Sequence, residues 1–273
     1  YAHIAPMMKI DGEGKRKLSK RKDPESAVGY YKEEGIPKES VLEYLMNIAN
    51  SNFEIWRKQN QEKSMYEFDF DIKKMGVSGA LFDMVKMLDV SKNVISKLSA
   101  EEVYEASLNW ANEFDKELAE MLSDKEYSLK VLGIERGNAK PRKDIAKWNE
   151  AKAYSAYFFQ EYYTPCLEFP ENLDKDSIRD FLTEYAKVYS VDDTKEEWFG
   201  RIKAICPSLN FAADTKEYKA NKEAYKGSAG DLSTVLRIAV TGRRNTPDLY
   251  SIMNLLGEDE IKTRLNEALA SWR

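Results

Sequence analysis

The sequence predicts a mainly α fold, in which an all-helical region, arranged as a helix bundle or cage, follows a mixed α/β segment. Three observations support this prediction. Capped helix starts recur along the 273 residues. Apolar residues follow these starts at three- and four-residue spacing, and strand-like residues occur chiefly in residues 1–10 and 53–70. Because no predicted strands alternate with the helices, the chain cannot complete a doubly wound parallel sheet by itself.

Composition excludes several classes of protein. Hydrophobic residues make up 42% of the chain and charged residues 33%, which argues against disorder. No apolar run reaches the roughly 18 residues of a membrane span. The two cysteines form no Cys-x-x-Cys motif, so we expect a reducing compartment, the cytoplasm. The single histidine, His3, excludes paired-histidine zinc motifs, and we predict no metal site.

The predicted elements begin with a strand in residues 1–10. Asp23 followed by Pro24 predicts a helix N-cap and first turn, opening a segment that ends at Gly35. Residues 53–70 favour an extended segment or hairpin. From residue 99 onward the pattern predicts consecutive helices at 99–122, 124–136, 144–163, 175–190, 195–205, 213–226, 231–241, 247–256 and 259–271.

Capping signals support these helix starts. Boxes of the form Ser/Thr-x-x-Glu begin at Ser99, Ser123 and Thr194. Thr246 followed by Pro247 gives the cap-then-proline signal. Each of these predicts that a helix begins at the following residues.

The most distinctive segment is residues 15–22, with six cations in eight residues: Lys-Arg-Lys-Leu-Ser-Lys-Arg-Lys. The net charge is −5, so this run departs strongly from the rest of the chain. Cations on a loop beside a helix N-terminus can gather around phosphate oxygens. The alternative is a solvated basic loop or a localisation signal.

The context of this run resembles a known family. Lys17-Leu-Ser-Lys-Arg21 and the stretch that follows it resemble the Lys-Met-Ser-Lys-Ser-type loop of class I aminoacyl-tRNA synthetases, in the form typical of glutamyl-tRNA synthetases. The preceding His3-Ile-Ala-Pro6 looks like the strand that leads into that loop. Further stretches similar to the family follow in order: Gly79-Ala-Leu-Phe82-Asp83 with Lys86, Glu135-Arg136, and Leu236-Arg237-Ile-Ala-Val-Thr241-Gly242 with Thr246-Pro247.

The resemblance implies a two-step reaction in the full-length enzyme. Glutamate and ATP form glutamyl-adenylate, and the glutamyl group then moves to the terminal ribose of tRNA(Glu). Lys20 corresponds to the family lysine that stabilises charge on the phosphates, so it is the predicted catalytic residue. Lys17, Ser19 and Arg21 are predicted to bind the ATP phosphates with it, and Mg²⁺ accompanies ATP as substrate. We also expect Ser19 to order the loop by local hydrogen bonds.

The resemblance further implies a division of the chain. Residues 1–105 would end the catalytic domain and contact the tRNA stem, and residues 106–273 would form the anticodon-binding region, with a second division near 190. Family members carry a His-Ile-Gly-His signature in an earlier nucleotide-binding sheet, which a chain with one histidine cannot contain. We therefore expect an excised C-terminal portion that meets ATP and glutamate only with the missing N-terminal domain and does not aminoacylate alone.

Basic residues outside the loop are the predicted tRNA contacts. Arg136 aligns with a family arginine near the anticodon, so we favour it for recognition of a base. The other predicted contacts are Lys140, Arg142, Arg243 and Arg244. A solvated turn between helices is the alternative role for these residues. The implied partner is tRNA(Glu), and the family expectation is a monomer with no membrane contact.

Other interpretations remain at this stage. A class I lysyl-tRNA synthetase also combines such a loop with helical C-terminal domains. A glutaminyl enzyme agrees less well, because its usual bacterial anticodon region is a β-barrel. A noncatalytic helical scaffold, whose basic loop binds RNA or an acidic protein, is the alternative from a different class.

Overall fold

The computed structural model describes residues 5–76 and 78–271. In these residues the chain is mainly helical, with one two-stranded antiparallel sheet. The predicted mainly α fold is confirmed. His3, and with it the start of the predicted first strand, lies outside the described residues. Within the described ranges, no helix has both the length and the apolar character needed to cross a membrane.

The bounds of the elements are as follows. The strands are β1 (Met8–Asp11) and β2 (Gly14–Lys17). The α-helices are α1 (Val28–Glu33), α2 (Lys38–Ala49), α3 (Phe53–Gln59), α4 (Met84–Ser96), α5 (Ala100–Phe114), α6 (Lys116–Met121), α7 (Lys125–Gly133), α8 (Glu150–Ser155), α9 (Lys175–Val188), α10 (Lys195–Ile205), α11 (Thr215–Ala220), α12 (Ala229–Thr241), α13 (Leu249–Leu256) and α14 (Glu258–Ala270).

The chain forms two compact units, Tyr1–Tyr154 and Ser155–Arg273. The predicted boundary near residue 105 is a division by role, between stem and anticodon contacts, and it stays a prediction. The two units are described separately below.

In the first unit, the β1–β2 hairpin is joined to the segment before α4. Met8 N–H donates to Ala80 O at 2.8 Å, and Phe82 N–H donates to Met8 O at 2.7 Å. Gly79 permits this close approach, because a Cβ there would lie 2.5 Å from the Met8 side chain and 2.6 Å from Pro6 O. The glycine of the Gly79–Asp83 stretch is thus required by backbone packing.

A buried cluster lies behind this junction. Its members are Ile36, Tyr44, Phe82 and Met87. Helix α2 packs against α4, and α5 packs against α6 and α7. Met7 and Leu18, just before and just after the hairpin, pack against this cluster.

The second unit is built around α9. This helix contacts α10, α12 and α14, and α12 also contacts α10 and α14. Phe181, Leu236 and Leu265 are fully buried in its core. Helix α12 is capped at its C-terminus by Gly242, which adopts the left-handed conformation at φ 68° that favours glycine at this position.

The structure corrects the prediction for residues 53–70. The predicted extended segment or hairpin is wrong, because residues 53–59 form α3 and a 3-10 turn follows at Met65–Glu67. Three aromatic rings explain the difference. Phe53 and Trp56 lie on one face of the helix, and both contact Phe68, at ring-centroid distances of 5.1 and 5.4 Å. Tertiary packing of these rings overrides their strand propensity.

Three predicted helices are divided or reduced, and the helix predicted at 124–136 already ends at Gly133. The helix predicted at 99–122 breaks at Asp115, which is extended and caps α6 by accepting from Leu118 N–H. The helix predicted at 144–163 is reduced to α8 and a 3-10 turn, Ala156–Phe158. The helix predicted at 213–226 is reduced to α11 and a 3-10 turn, Lys222–Ala224.

The predicted caps give mixed results. The capping boxes at Ser99 and Thr194 are confirmed. At Ser123 the prediction is wrong, since the adjacent Asp124 is the N-cap of α7 and accepts from Tyr127 N–H. The start predicted at Thr246 is also wrong, because Asp248 caps α13. In both cases an aspartate close to the predicted residue accepts the capping hydrogen bond instead.

Candidate functional site

The basic loop after β2 is anchored by its two uncharged residues. Leu18 packs against the buried cluster, and its N–H donates to Met7 O at 2.9 Å. Ser19 O accepts from the N–H groups of Lys22 and Asp23, at 3.0 and 2.8 Å. The Ser19 hydroxyl accepts from Arg21 N–H at 3.3 Å. The hydroxyl therefore orders the loop locally, as expected for serine in a turn.

The cationic side chains of the loop point outward. Lys17, Lys20 and Arg21 are exposed. Within residues 5–76 and 78–271, none of the three forms a salt bridge with a carboxylate. The loop thus presents three unneutralised positive charges in five residues, and such a group can bind phosphate oxygens.

Asp23 does not have the role that the sequence predicted. Its side chain makes no capping hydrogen bond, a 3-10 turn follows at Pro24–Ser26, and α1 begins only at Val28. The carboxylate instead accepts from Arg16 at 2.5 and 2.8 Å and from Ser19 N–H at 2.8 Å. The Arg16 guanidinium, followed by Ser19 N–H, holds the pKa of Asp23 well below its usual range. The start predicted at Asp23 is therefore confirmed only as a 3-10 turn, with Asp23 at its N-cap position and Pro24 as its first residue, whereas the predicted side-chain cap and the continuous helix to Gly35 are wrong.

Arg136 lies in a turn after α7, next to Glu135 in the left-handed region at φ 57°. Its guanidinium turns inward. Nη1 donates to Ile95 O at 2.8 Å and to Leu98 O at 3.1 Å, and Nε donates to Leu132 O at 3.1 Å. Burial lowers the pKa of this side chain. Arg136 thereby satisfies carbonyl groups at the ends of two helices.

Lys140 lines a polar cleft of about 670 Å³ in the first unit. Lys97 and Lys143 line the same cleft, together with the carboxylate of Glu62 and neutral donors and acceptors such as Asn93 and Asn138. Desolvation, followed by repulsion from nearby Arg57, lowers the pKa of Lys97. Its ammonium donates to Gln61 O. A second cleft of about 380 Å³ shares Gln61, Asn93, Lys97 and Lys143 with the first.

Arg142 is engaged within its own turn. It donates to both oxygens of Asp144, at 2.6 and 2.9 Å. The Asp144 hydrogen bonds raise the pKa of Arg142. A bidentate pair of this kind fixes the orientation of the guanidinium.

The second unit contains the last two predicted contacts. Arg243 lies with its guanidinium 5.4 Å from the centre of the Tyr157 ring, a cation–π distance. Arg244 is exposed and donates to Phe169 O at 3.1 Å. Both arginines follow the left-handed Gly242, where a Cβ would lie 3.0 Å from Cys166 N.

The structure groups the predicted residues into three sets. Lys17, Ser19, Lys20 and Arg21 share one loop; Arg136, Lys140 and Arg142 share one turn region; Arg243 and Arg244 share another.

Lys97 was missed by the sequence analysis, although it extends a polar face of α4. Lys86, Asn93 and Lys97 are spaced by seven and four residues, the spacing of one helix face.

Residues 117–269 match a family described as "Anticodon binding domain". The chain is 46% identical to the glutamate–tRNA ligase of Clostridium perfringens (strain SM101 / Type A), over 99% of this chain and 50% of that protein. It is 44% identical to the glutamate–tRNA ligase of Acetivibrio thermocellus, over 98% of this chain and 50% of that protein.

A solved structure shares the fold. The glutamate tRNA ligase of Elizabethkingia meningosepticum, crystallised in complex with its amino acid, superposes with a TM-score of 0.61 at 20% identity, over 100% of this chain and 51% of that one. The chain therefore spans about half the length of the relatives it matches. These relatives confirm the resemblance to glutamyl-tRNA synthetases and favour it over the class I lysyl interpretation.

Proposed function

This chain belongs to the anticodon-binding domain family, and from that premise we propose that it is the tRNA-binding portion of a glutamate–tRNA ligase. The observation that carries the proposal is the conjunction of an outward-facing cationic loop with 46% identity to a glutamate–tRNA ligase along 99% of the chain. The full-length protein would join glutamate to tRNA(Glu) through glutamyl-adenylate.

The loop supplies charge to the first step. Glutamate's carboxylate attacks the α-phosphorus of ATP, and pyrophosphate leaves. Lys20 stabilises the negative charge that develops on the phosphates, while Lys17 and Arg21 bind neighbouring oxygens and Ser19 keeps the turn ordered. Their exposure and lack of carboxylate partners among the described residues support this role, because such chemistry depends mainly on positioned charge.

Magnesium would arrive with ATP in this proposal. Among the described residues, no group of three histidine, cysteine or carboxylate side chains is placed to hold a metal ion. We further propose that the protein works as a monomer in the cytoplasm. The two cysteines are unpaired, in agreement with a reducing compartment.

The RNA contacts divide into exposed lysines and fixed arginines. Lys140, with Lys97 and Lys143, would bind phosphates along the polar cleft, where the neutral amides can meet an unstacked base. Arg136 would recognise a base only by exchanging its backbone carbonyl partners for the base edge.

Of the remaining contacts, Arg142 shares the turn region of Arg136, and Arg243 and Arg244 lie on another turn. Arg142 would meet the RNA in the orientation that Asp144 imposes on its guanidinium. Arg243 and Arg244 would contact RNA in the second unit.

The catalytic role is tested by Lys20→Ala in the full-length protein that contains this chain. We expect glutamate-dependent ATP–pyrophosphate exchange to slow about a hundredfold, the scale of losing one transition-state charge donor. Lys15→Ala is the matched control, since Lys15 is also an exposed lysine of the basic run. An unchanged rate in Lys20→Ala removes Lys20 from the mechanism. Exchange by the isolated chain would contradict its assignment as the tRNA-binding part alone.

Choice of RNA is tested by titration at several salt concentrations. A synthetase portion should prefer tRNA with a glutamate anticodon, and Arg136→Ala should reduce that preference more than it reduces affinity. A noncatalytic basic scaffold would bind all tRNAs equally and lose affinity with salt. Equal affinity for every anticodon would favour the scaffold.

A further inference from the structure

The β1–β2 hairpin places two cations directly opposite each other. Lys9 pairs with Arg16 in the antiparallel register, and like charges at opposed positions destabilise a strand pair. Both side chains are instead bound by carboxylates. Lys9 binds Glu25 and lies 3.5 Å from Asp23 Oδ1, while Arg16 binds both oxygens of Asp23. The hairpin thus directs its cations to two acidic residues that flank Pro24.

Asp23 connects three parts of the chain. Its side chain is 2% exposed. Oδ1 accepts from Arg16 Nη2, and Oδ2 accepts both from Arg16 Nη1 and from Ser19 N–H. Its own N–H donates to Ser19 O at 2.8 Å. One carboxylate therefore joins the strand before the loop, the loop itself and the residues after it.

This arrangement leaves the outer cations available. Lys9 and Arg16 occupy the buried carboxylates of Asp23 and Glu25, so those acids do not neutralise Lys20 or its neighbours. A loop already held in one conformation loses less entropy when it binds a ligand. Charges fixed in advance also stabilise a transition state more effectively than mobile ones.

We infer that Lys9, Arg16, Asp23 and Glu25 form a clamp that holds the Lys17–Arg21 loop in the conformation that meets phosphate. The inference rests on the proposed role of the loop in adenylate formation. Asp23 is its central positioning residue and acts through the loop, without touching the substrate.

The kinetic test is Asp23→Asn in the full-length protein. The amide keeps the size of the side chain and removes its charge. We expect kcat for ATP–pyrophosphate exchange to fall about tenfold, with KM for glutamate within about twofold, because only the geometry of the loop changes.

Asp11→Asn is the matched control. Asp11 is 62% exposed and accepts from Nε of the same Arg16 at 2.7 Å. This variant removes one negative charge beside that arginine but leaves the clamp intact, so its rate should stay within about twofold of wild type. Equal rates in Asp23→Asn and Asp11→Asn would overturn the inference.

A structural measurement tests the clamp independently of the reaction. The backbone amides of residues 19, 22 and 23 should exchange their hydrogens about tenfold faster in Asp23→Asn and at the wild-type rate in Asp11→Asn. Unchanged protection in the loop would overturn the clamp, whatever the rate of catalysis. Should Asp23→Asn not fold, Asp23→Glu, which keeps the charge but displaces it, is expected to show the same loss of kcat.

Failure of the proposed function gives a different pattern. If Lys20→Ala exchanges pyrophosphate at the wild-type rate, the phosphate role of the loop fails and the clamp inference falls with it. If Lys20→Ala is slow while Asp23→Asn is normal, only the clamp inference is overturned.

Discussion

The basic loop at residues 17–21 and the basic turn at residues 134–144 use their cations differently. In the loop, Lys17, Lys20 and Arg21 are exposed, while the arginine that precedes them holds a buried carboxylate. In the turn, Arg136 and Arg142 are bound to internal acceptors. The lysines of the turn are therefore better placed than its arginines to meet a partner.

Arginine and lysine have different roles in these two regions. A guanidinium has five donors in a planar fork, so it can satisfy several fixed acceptors at once. Arg16, Arg136 and Arg142 all do so. A lysine ammonium is a strongly hydrated point charge and stays at the surface. Lys20 and Lys140 are examples, and Arg21 is an exception to the pattern.

The largest expected effect is on the free energy of unfolding, and it tests the contrast between the bound Arg136 and the exposed Lys140. Arg136→Ala should lower the free energy of unfolding by about 1–3 kcal/mol, because carbonyl acceptors at Ile95, Leu98 and Leu132 lose a charged donor. Lys140→Ala should change it by less than about 0.5 kcal/mol. Denaturant unfolding of both variants measures the difference. Equal stabilities would mean that Arg136 is as available to a partner as Lys140.

Sequence patterns predicted local features more successfully than long-range ones. The bounds 195–205 and the capping box at Thr194 agree with α10, since a cap and a helix face are local properties. The partners of Arg136 could not be predicted, because Ile95 and Leu98 lie 41 and 38 residues away along the chain. The cationic loop was predicted from its composition, but the use of Asp23 as an acceptor for Arg16 depends on the hairpin register.

The second expected effect is on the salt dependence of RNA binding by the lysines of the turn. Replacing Lys140 and Lys143 together by Gln should reduce the slope of log affinity against log salt by about two, one for each phosphate that a lysine no longer neutralises. Filter binding or anisotropy with tRNA measures this slope. Lys130→Gln is the control, because Lys130 is an exposed lysine of the same unit already paired with Glu126. A slope unchanged in the double variant would place the RNA elsewhere.

A third, smaller effect depends on pH. The folded pKa of Asp23 is depressed, so its interactions stabilise the fold above the unfolded carboxylate pKa of about 4 and are lost as pH falls toward the folded value. Wild type should therefore exceed Asp23→Asn in stability at pH 7, and the difference should shrink below about pH 4. Unfolding curves between about pH 7 and pH 3 measure it. A difference that stays constant over this range would mean that ionisation of Asp23 does not stabilise the fold.

The smallest expected effect is on the stability of the loop variants. Lys20→Ala should change the free energy of unfolding by less than about 0.5 kcal/mol, because its exposed ammonium has no carboxylate partner among the described residues. The same substitution should slow adenylate formation strongly, so stability and activity separate at this position. At Arg136 the two are coupled, since the side chain that would contact RNA also holds two helix ends together. A substantial loss of stability in Lys20→Ala would show that the loop, like the turn, uses its central cation to hold the fold, and the contrast between the two regions would disappear.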